Sequence, residues 1–497
     1  MCMVSPTQPQ AIPAALLPPD ARQQIALAAL GGLSISGIAA DHDVSRKFVY
    51  QQLDRAQQGL DSAFAPSVPD QKVLFHLPVT KSWLRQLVLS LGLTCHSPLR
   101  GVCELLTDVF DYSLSLGSVP NSVQQAVGPA RAVNDRQNLS GVRIGARDEI
   151  FQAGRPVLVG VDTHSTYCYL LSLEDHRDAD TWGIRLLELA DRGFDPEATI
   201  ADAAGGLRAG QEQALPEVPC RGDVFHCLYE VTPLVRYLEN RAYDALDAVE
   251  KLKRQQKRHQ RSKGRKNLSV VRRLHLAERA LAKAIALADD VATRARWLQW
   301  DILAVAGPDH ETRLRLLDFV VAELSSREPP CEHRIRPVRS MLANQGKSLL
   351  AFAEQLDKDV RTLAEQGQVS EPTVRELLQT QQMAETDPRR WQRETPLRQQ
   401  LGGRYHAVSE AVEELSAGVV RASSLVENAN SRLRSYFFLR RQLGPDYLEL
   451  LRFYLNQRRF ERSEQECRVG KSPAEVLNGE SHAHWLELLG YQRFARK

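Results

Sequence analysis

The sequence predicts a multidomain α plus α/β protein: a helix-turn-helix region at the N-terminus, then a mixed sheet core interrupted by a large all-helical insertion. Three observations carry this expectation. Within residues 155–221, short β-rich runs alternate with helical stretches in the order β-β(-β)-α-β-α-β. From residue 228 to 421, apolar residues recur almost entirely at helical spacing. A chain of 497 residues is also too long for one ordinary domain.

Residues 1–20 are rich in Pro, Gln and Ala and read as a flexible arm. Residues 21–60 read as three short helices, over 21–30, 35–41 and 46–56, with His42, Asp43 and Val44 as the turn before the third. This is helix-turn-helix spacing, with Ala39 and Ala40 small enough for close helix contact. Ser45 caps the third helix, and in a major groove Ser45, Arg46, Lys47 and Tyr50 would face DNA. An ordinary three-helix bundle would use the same apolar positions. After a Pro-containing linker, residues 78–135 form a second helical domain, either a second DNA-binding unit or a packing module. Residues 134–153 read as a polar connector into the sheet.

Residues 150–229 read as the first part of the core. The apolar run 157–161 ends on Asp162, a second β-rich run covers 167–173, and a helix spans about 181–192. The short strand in ATIADAAGGLRAG carries Asp202 at its end. Asp162 and Asp202 are expected at the ends of neighbouring strands. A buried strand ending in a carboxylate is one way to hold a hard divalent cation, which takes oxygen ligands. Two such ions about 4 Å apart stabilise the attacking and leaving oxygens at a phosphodiester. That chemistry needs a third carboxylate from elsewhere, and Glu427 in SSLVENANSRLRSYFFLRR supplies it on a helix. Arg434 lies two turns on, on the same face, and Asn430 one turn on, placed to orient Glu427 or contact phosphate. Each residue has a plainer reading: Asp162 as a cap of the strand-to-turn transition, Asp202 as a cap of the next helix, Glu427 as a solvated helix carboxylate.

The strand and helix order is the ribonuclease-H-like pattern. Asp162, Asp202 and Glu427 resemble the Asp-Asp-Glu triad of the DDE transposases of bacterial insertion sequences. Asp223-Val-Phe-His226 is similar to the Cys/Asp-x-x-His signature after the second Asp in transposases with a helical insertion, the hAT type included. The stretch from Leu425 to Arg434 resembles the Glu-bearing helix of many of these enzymes, and the resemblance covers roughly residues 148–489. It implies a ribonuclease-H-like core and a transposase that cleaves transposon ends and joins them to target DNA. It further implies two Mg²⁺ ions, with Mn²⁺ able to substitute, held by Asp162, Asp202 and Glu427. The implied partner is double-stranded DNA, both terminal repeats and target, handled by a homo-oligomer of at least two copies in the bacterial cytoplasm and associated with the nucleoid. Two roles stay open for Asp223 and His226: ligands of metal or scissile phosphate, or a buried hydrogen-bonded pair supporting the site. Two other functions also stay open: a transposase-derived DNA-binding regulator without catalysis, and a structure-specific DNA nuclease.

Residues 230–421 form the insertion, which must leave and return at one edge of the core if Glu427 is to reach the sheet. Its run KLKRQQKRHQRSKGRKNLSVVRRLHL holds no acidic residue. A phosphate-tracking surface is therefore expected at Lys251, Lys253, Arg254, Lys257, Arg258, Arg261, Lys263, Arg265 and Lys266, although a charge run can also be a solvated face. Trp297 and Trp300 are expected in the helical core rather than as a base-stacking platform. The Glu-bearing helix belongs to a core segment at 422–462, and 463–497 is the tail. Its Gly470-Lys-Ser-Pro473 resembles the tail of many insertion-sequence transposases and lacks the spacing of a phosphate loop.

Composition excludes several classes. No run of about 18 apolar residues suits a membrane span. The N-terminus lacks a basic start followed by an apolar core, so no signal peptide is expected. Eight scattered cysteines without a C-x-x-C pair argue against a disulfide scaffold or structural zinc site. A net charge of +3 does not announce nucleic acid, so the distribution of charge carries that argument.

Overall fold

The computed structural model describes residues 17–64, 74–202, 204–263, 267–421, 424–439, 443–463 and 465–495. The described chain is mostly helical and holds one mixed five-stranded sheet. It divides into an N-terminal unit ending at Pro78 and a large unit, Val79–Phe494. No helix among the described residues is long and apolar enough to cross a membrane.

The N-terminal unit holds α1 (Pro19–Leu30), α2 (Ile35–Asp41) and α3 (Arg46–Phe64). Ile25, Ala29, Ile38, Ala39 and Val49 close its small core. Asp43 takes a left-handed φ of 48° in the turn, and Ser45 Oγ accepts from Phe48 N at 3.1 Å at the start of α3. The third helix runs eight residues beyond the expected end at Ala56, because nothing in QQGLDSAF breaks it.

The large unit opens with α4 (Lys81–Leu93), α5 (Leu99–Phe110) and α6 (Ser118–Arg136). Leu84, Val88, Val102, Leu106 and Val119 bind these three to each other. Leu89 and Leu93 of α4, with Ala126, Val127 and Ala130 of α6, join the core on one face of the sheet.

The sheet consists of β1 (Ile144–Gln152), β2 (Arg155–Asp162) and β3 (Cys168–Leu173), then, after α7 (Ala179–Ala190), β4 (Ala198–Ala201), and, after α8 (Gly205–Ala214), β5 (Cys220–Gly222). The strand order is β3-β2-β1-β4-β5; β2 runs antiparallel to β1 and β3, and β4 and β5 run parallel to β1. This corrects the sequence reading in two ways. The segment expected as a connector contains the central strand, and β1 separates β2 from β4, so the strands that end at Asp162 and Asp202 are not neighbours. The strand looks like a connector because IGARDEIFQ is rich in polar residues, yet two of its charged side chains are buried and bonded. Arg147 donates to Thr199 Oγ1 at 2.9 Å, and Glu149 accepts from Trp182 Nε1 and Arg177 Nη1, each at 2.9 Å.

Period-two alternation divides the sheet into two faces. Ala146 and Ile150 of β1, Val157, Val159 and Val161 of β2, and Ile200 of β4 share one core cluster. Leu158, Tyr169 and Ala201 face the other way, against Trp182 and Leu186 of α7 and Leu207 of α8. A Cβ at Gly206 would collide with the Arg177 carbonyl, and one at Gly210 would lie 2.5 Å from the Ala179 carbonyl, so these glycines let α8 lie against α7.

The insertion is helical as expected, with α9 (Val224–Lys263), α10 (Leu268–Trp297), α11 (His310–Ser326), α12 (Glu332–Gly367), α13 (Glu371–Gln381), α14 (Pro388–Leu401) and α15 (Tyr405–Gly418). One cluster joins α9 to α12, a second joins α12 to α15, and the 36-residue α12 belongs to both. The segment leaves and returns at one place: Val224 N donates to Arg421 O at 3.0 Å. Trp297 and Trp300 were expected inside and are not; they are 39% and 66% exposed. A π-turn spans Leu298–Ile302, with Leu298 and Ile302 buried and both tryptophans on the outer side.

The chain closes with α16 (Ser424–Leu439), α17 (Pro445–Gln457), α18 (Pro473–Asn478) and α19 (Trp485–Leu488). Val426, Leu433 and Tyr436 of α16 and most of α17 complete the core over the β1/β2 face. Asn456 extends the sheet edge with its side chain: Oδ1 accepts from Cys168 N at 2.7 Å and Nδ2 donates to Cys168 O at 2.9 Å. Ser472, in the Gly-Lys-Ser-Pro stretch, forms a capping box with Glu475 at the start of α18.

Candidate functional site

The centre of the sheet carries Asp148, which the sequence reading passed over as part of a connector. It lies between Ala146 and Ile150 on β1, opposite Val159, and therefore on the face that α16 covers. Both of its oxygens are held: Oδ1 accepts from Glu149 N at 2.7 Å, and Oδ2 from Asn430 Nδ2 at 2.6 Å. Burial, followed by the negative charges of Glu427 and Asp202, pushes the carboxyl up to about 7 against the donated hydrogen bonds.

Asp202 comes to the same place by strand register. Arg147 pairs with Ala201 across the parallel β1/β4 ladder, so the next residue of each strand, Asp148 and Asp202, stand side by side. Asp202 follows Ile200 by two positions and shares its face. Its Oδ1 also accepts from Ala204 N at 2.9 Å in the turn ahead of α8, but the N-cap of that helix is Ala204, with no side-chain cap, so Asp202 does not cap it. Glu427 sits in the first turn of α16, half-buried, with its Oε2 3.7 Å from Arg434 Nη2. The two-turn spacing therefore does put Arg434 beside Glu427. Asn430 is fully buried on the same helix and reaches neither Glu427 nor the surface; it binds Asp148.

Asp162 does not join this group. It pairs with Gly145, three residues before Asp148, which is about 10 Å along β1. It also follows Leu158 at even spacing, which places it on the opposite face. Its Oδ2 accepts from Ser165 N at 2.7 Å and Ser165 Oγ at 2.5 Å, closing the turn to β3. Arg468 donates to the His164 carbonyl and covers the same turn. This is the capping role for Oδ2; the residue is 1% exposed, and its Oδ1 has no hydrogen-bond partner.

Asp223 and His226 do not form a side-chain pair of the kind expected. Asp223 Oδ1 accepts from Phe225 N at 2.8 Å and His226 N at 3.2 Å, capping α9. The half-exposed imidazole of His226 lies 3.8 Å from Glu230, one turn further on. Cys331 is buried in the insertion core.

The DNA-facing candidates of the N-terminal unit, Ser45, Arg46, Lys47 and Tyr50, are all exposed, while Val49 between them is buried. In the insertion, Lys251, Lys253, Arg254, Lys257, Arg258 and Arg261 are exposed along α9. The side chain of Lys263 and the whole of Arg265 and Lys266 lie outside the described residues. Arg272 and Arg273 on α10 add to the basic surface and were not singled out from the sequence.

A central carboxyl raised by burial and by two neighbouring carboxylates marks a local excess of negative charge, and an all-oxygen donor set of this kind suits a hard divalent cation. Among the described residues no three His, Cys, Asp or Glu side chains already converge on a common point fit for a metal ion. Glu427 is turned toward Arg434, and Asp148 is engaged by Asn430 and Glu149 N. Asp148 itself had a sequence signal. The alternation through 144–152 runs to a two-residue turn, Ala153-Gly154, both at positive φ (50° and 84°), which closes a hairpin onto β2. No family model matches the chain, and no curated protein matches it in sequence.

Proposed function

We propose that the chain is a DNA transposase with a ribonuclease-H-like core, in which Asp148, Asp202 and Glu427 are the catalytic carboxylates. The observation that carries this reading is the meeting of Asp148 and Asp202 on adjacent parallel strands beneath the helix that bears Glu427. A central strand flanked by an antiparallel hairpin partner on one side and parallel strands on the other supports the ribonuclease-H-like assignment. Asp148 takes the place in the triad that the sequence alone had given to Asp162.

Asp148, Asp202 and Glu427 would hold divalent ions, Mg²⁺ in the first instance. When bound, such ions supply the positive charge that activates the attacking oxygen and stabilises the leaving one at a phosphodiester. The protein's own part is positional. β1 and β4 fix two carboxylates by backbone register, and α16 brings the third across the sheet. Arg434 neutralises Glu427 until the site fills and is then free to hold a DNA phosphate. The exposed basic face of α9 gives an extended duplex a surface to follow, and the exposed start of α3 supports a groove-reading role for the three-helix unit.

The test is cleavage and joining of DNA carrying the element's own ends, with Mg²⁺. Wild type is compared with Asp148→Asn, Asp202→Asn, Glu427→Gln and Asp162→Asn. Cutting and joining by wild type and Asp162→Asn, with binding but no cutting by the other three, is the expected result. Cutting by Asp148→Asn at the wild-type rate would overturn the assignment. Cut ends that are never joined would favour the nuclease, and binding without cutting under any divalent metal would favour the regulator.

A further inference from the structure

Asn430 is 0% exposed and belongs to α16, a helix 282 positions away in sequence from the strand it touches. A buried amide needs partners for both ends, because leaving one unpaired costs about 1–3 kcal/mol. Here only one end is paired within the protein: Nδ2 donates to Asp148 Oδ2, while Oδ1 has no hydrogen-bond partner. A branched apolar side chain would carry no such cost, and Val426 and Leu433 on the same helix already make the apolar contact with the sheet. Packing alone therefore does not explain an asparagine at this position. Its placement relative to the carboxylates does. Asn430 stands three residues after Glu427, on the same side of the helix, so one rigid element delivers a carboxylate and a fixed amide together.

We infer that Asn430 is a positioning residue for the divalent-cation site: it fixes the plane of the Asp148 carboxylate and ties the Glu427 helix to the central strand. The inference rests on the proposed function of the three carboxylates and adds to it the residue that sets their mutual geometry. Asp148 has two donors, one on each oxygen. Glu149 N is backbone and always present, so the amide of Asn430 is the donor that decides whether the carboxylate can rotate. With the amide in place, each oxygen keeps a lone pair on the side away from its donor. Without it, the carboxylate turns about its last bond and the ligand set is no longer preformed.

The experiment measures Mn²⁺ binding to the full-length protein by electron paramagnetic resonance, with thermal melting of each variant in the absence of metal. Wild type, Asp148→Asn, Asn430→Asp, Asn430→Leu and the double variant Asp148→Asn/Asn430→Leu are compared. Asn430→Asp keeps the shape and removes the donor, so it remains informative if Asn430→Leu fails to fold. Loss of the amide is expected to weaken Mn²⁺ binding by about 10- to 100-fold, the usual effect of removing a group that orients a ligand. In the double variant, Asn430→Leu is expected to add no further loss beyond Asp148→Asn, because the amide acts through that carboxylate. Mn²⁺ binding by a folded Asn430→Asp protein equal to wild type would overturn this inference and leave the carboxylate assignment standing. An additive loss in the double variant would likewise overturn it, since the amide would then act by another route. No Mn²⁺ binding by wild type would overturn the carboxylate assignment and this inference with it.

Discussion

The two faces of the central sheet each carry an aspartate, buried on one and half-buried on the other, and they do opposite things with it. On the face covered by α7 and α8, Asp162 ends an apolar strand and spends its carboxylate on Ser165 in a tight turn. On the face covered by α16, Asp148 stands in mid-strand among Ala146, Ile150 and Val159, next to Asp202 and within the field of Glu427. One carboxylate gives a single oxygen to its own loop and keeps the other buried without a hydrogen-bond partner. The other gathers negative charge from distant parts of the chain, which is costly unless something positive arrives. A strand that ends in an aspartate therefore says little about function, whereas an aspartate held in mid-strand beside other carboxylates says a good deal.

The sharpest break of this comparison is by activity. Asp148→Asn is expected to lower DNA-end cleavage on the order of 10³-fold, about 4 kcal/mol of barrier, while Asp162→Asn stays within a few-fold of wild type. Similar losses from both would show that the two faces work as one site. Stability should show the reverse order. Asp162→Ala removes the acceptor of Ser165 inside a buried turn and is expected to cost about 1–3 kcal/mol in denaturant unfolding, with cleavage by the remaining folded protein preserved. A variant as stable as wild type would mean the turn does not need the carboxylate.

The pH dependence of melting sharpens the same contrast. In the folded protein Asp148 keeps its proton up to about pH 7, whereas an ordinary unfolded carboxyl has released it by about pH 4. The folded state thus binds one more proton across that window, and the stability this group contributes falls as pH rises through it. Asp148→Asn should remove that part of the slope, read as melting temperature against pH without divalent metal. An unchanged slope would return Asp148 to the ordinary carboxylate range.

The smallest expected effect lies far from the sheet. Single substitutions Lys257→Ala or Arg258→Ala should weaken DNA binding evenly across sequences and lower the salt slope by about 1 each. Substitutions with no effect on the slope would make that stretch of α9 a solvated face, the plain reading of a charge run.

Much of the fold was legible in advance. The three N-terminal helices, the α4–α6 set, the helical insertion and the helix bearing Glu427 all stand where apolar periodicity and caps placed them. Arg434 fell where spacing put it, because register along one helix is local geometry, whereas Asp202 ends its strand as read but stands beside β1 and not beside the strand of Asp162. Asp148 was missed because its strand is polar for a tertiary reason: Arg147 and Glu149 find Thr199, Trp182 and Arg177, partners that lie in other elements. Trp297 and Trp300 were misplaced because helical spacing fixes which residues share a face, not which face packs against neighbouring helices.

The sequence by itself determined the kinds of element, their order and the supply of carboxylates, since helix and strand periods and turn chemistry act over a few residues. Only the tertiary structure decided which carboxylates meet. That choice depends on which strand takes the centre of the sheet and which face each side chain takes. A strand taken as the first when it is the second puts the carboxylate three positions and one face away from the site. The contact that joins Asn430 to Asp148 spans 282 positions, and no local pattern encodes it. It exists because the insertion leaves and returns at one edge, Val224 against Arg421, and so brings α16 back over the strand it serves.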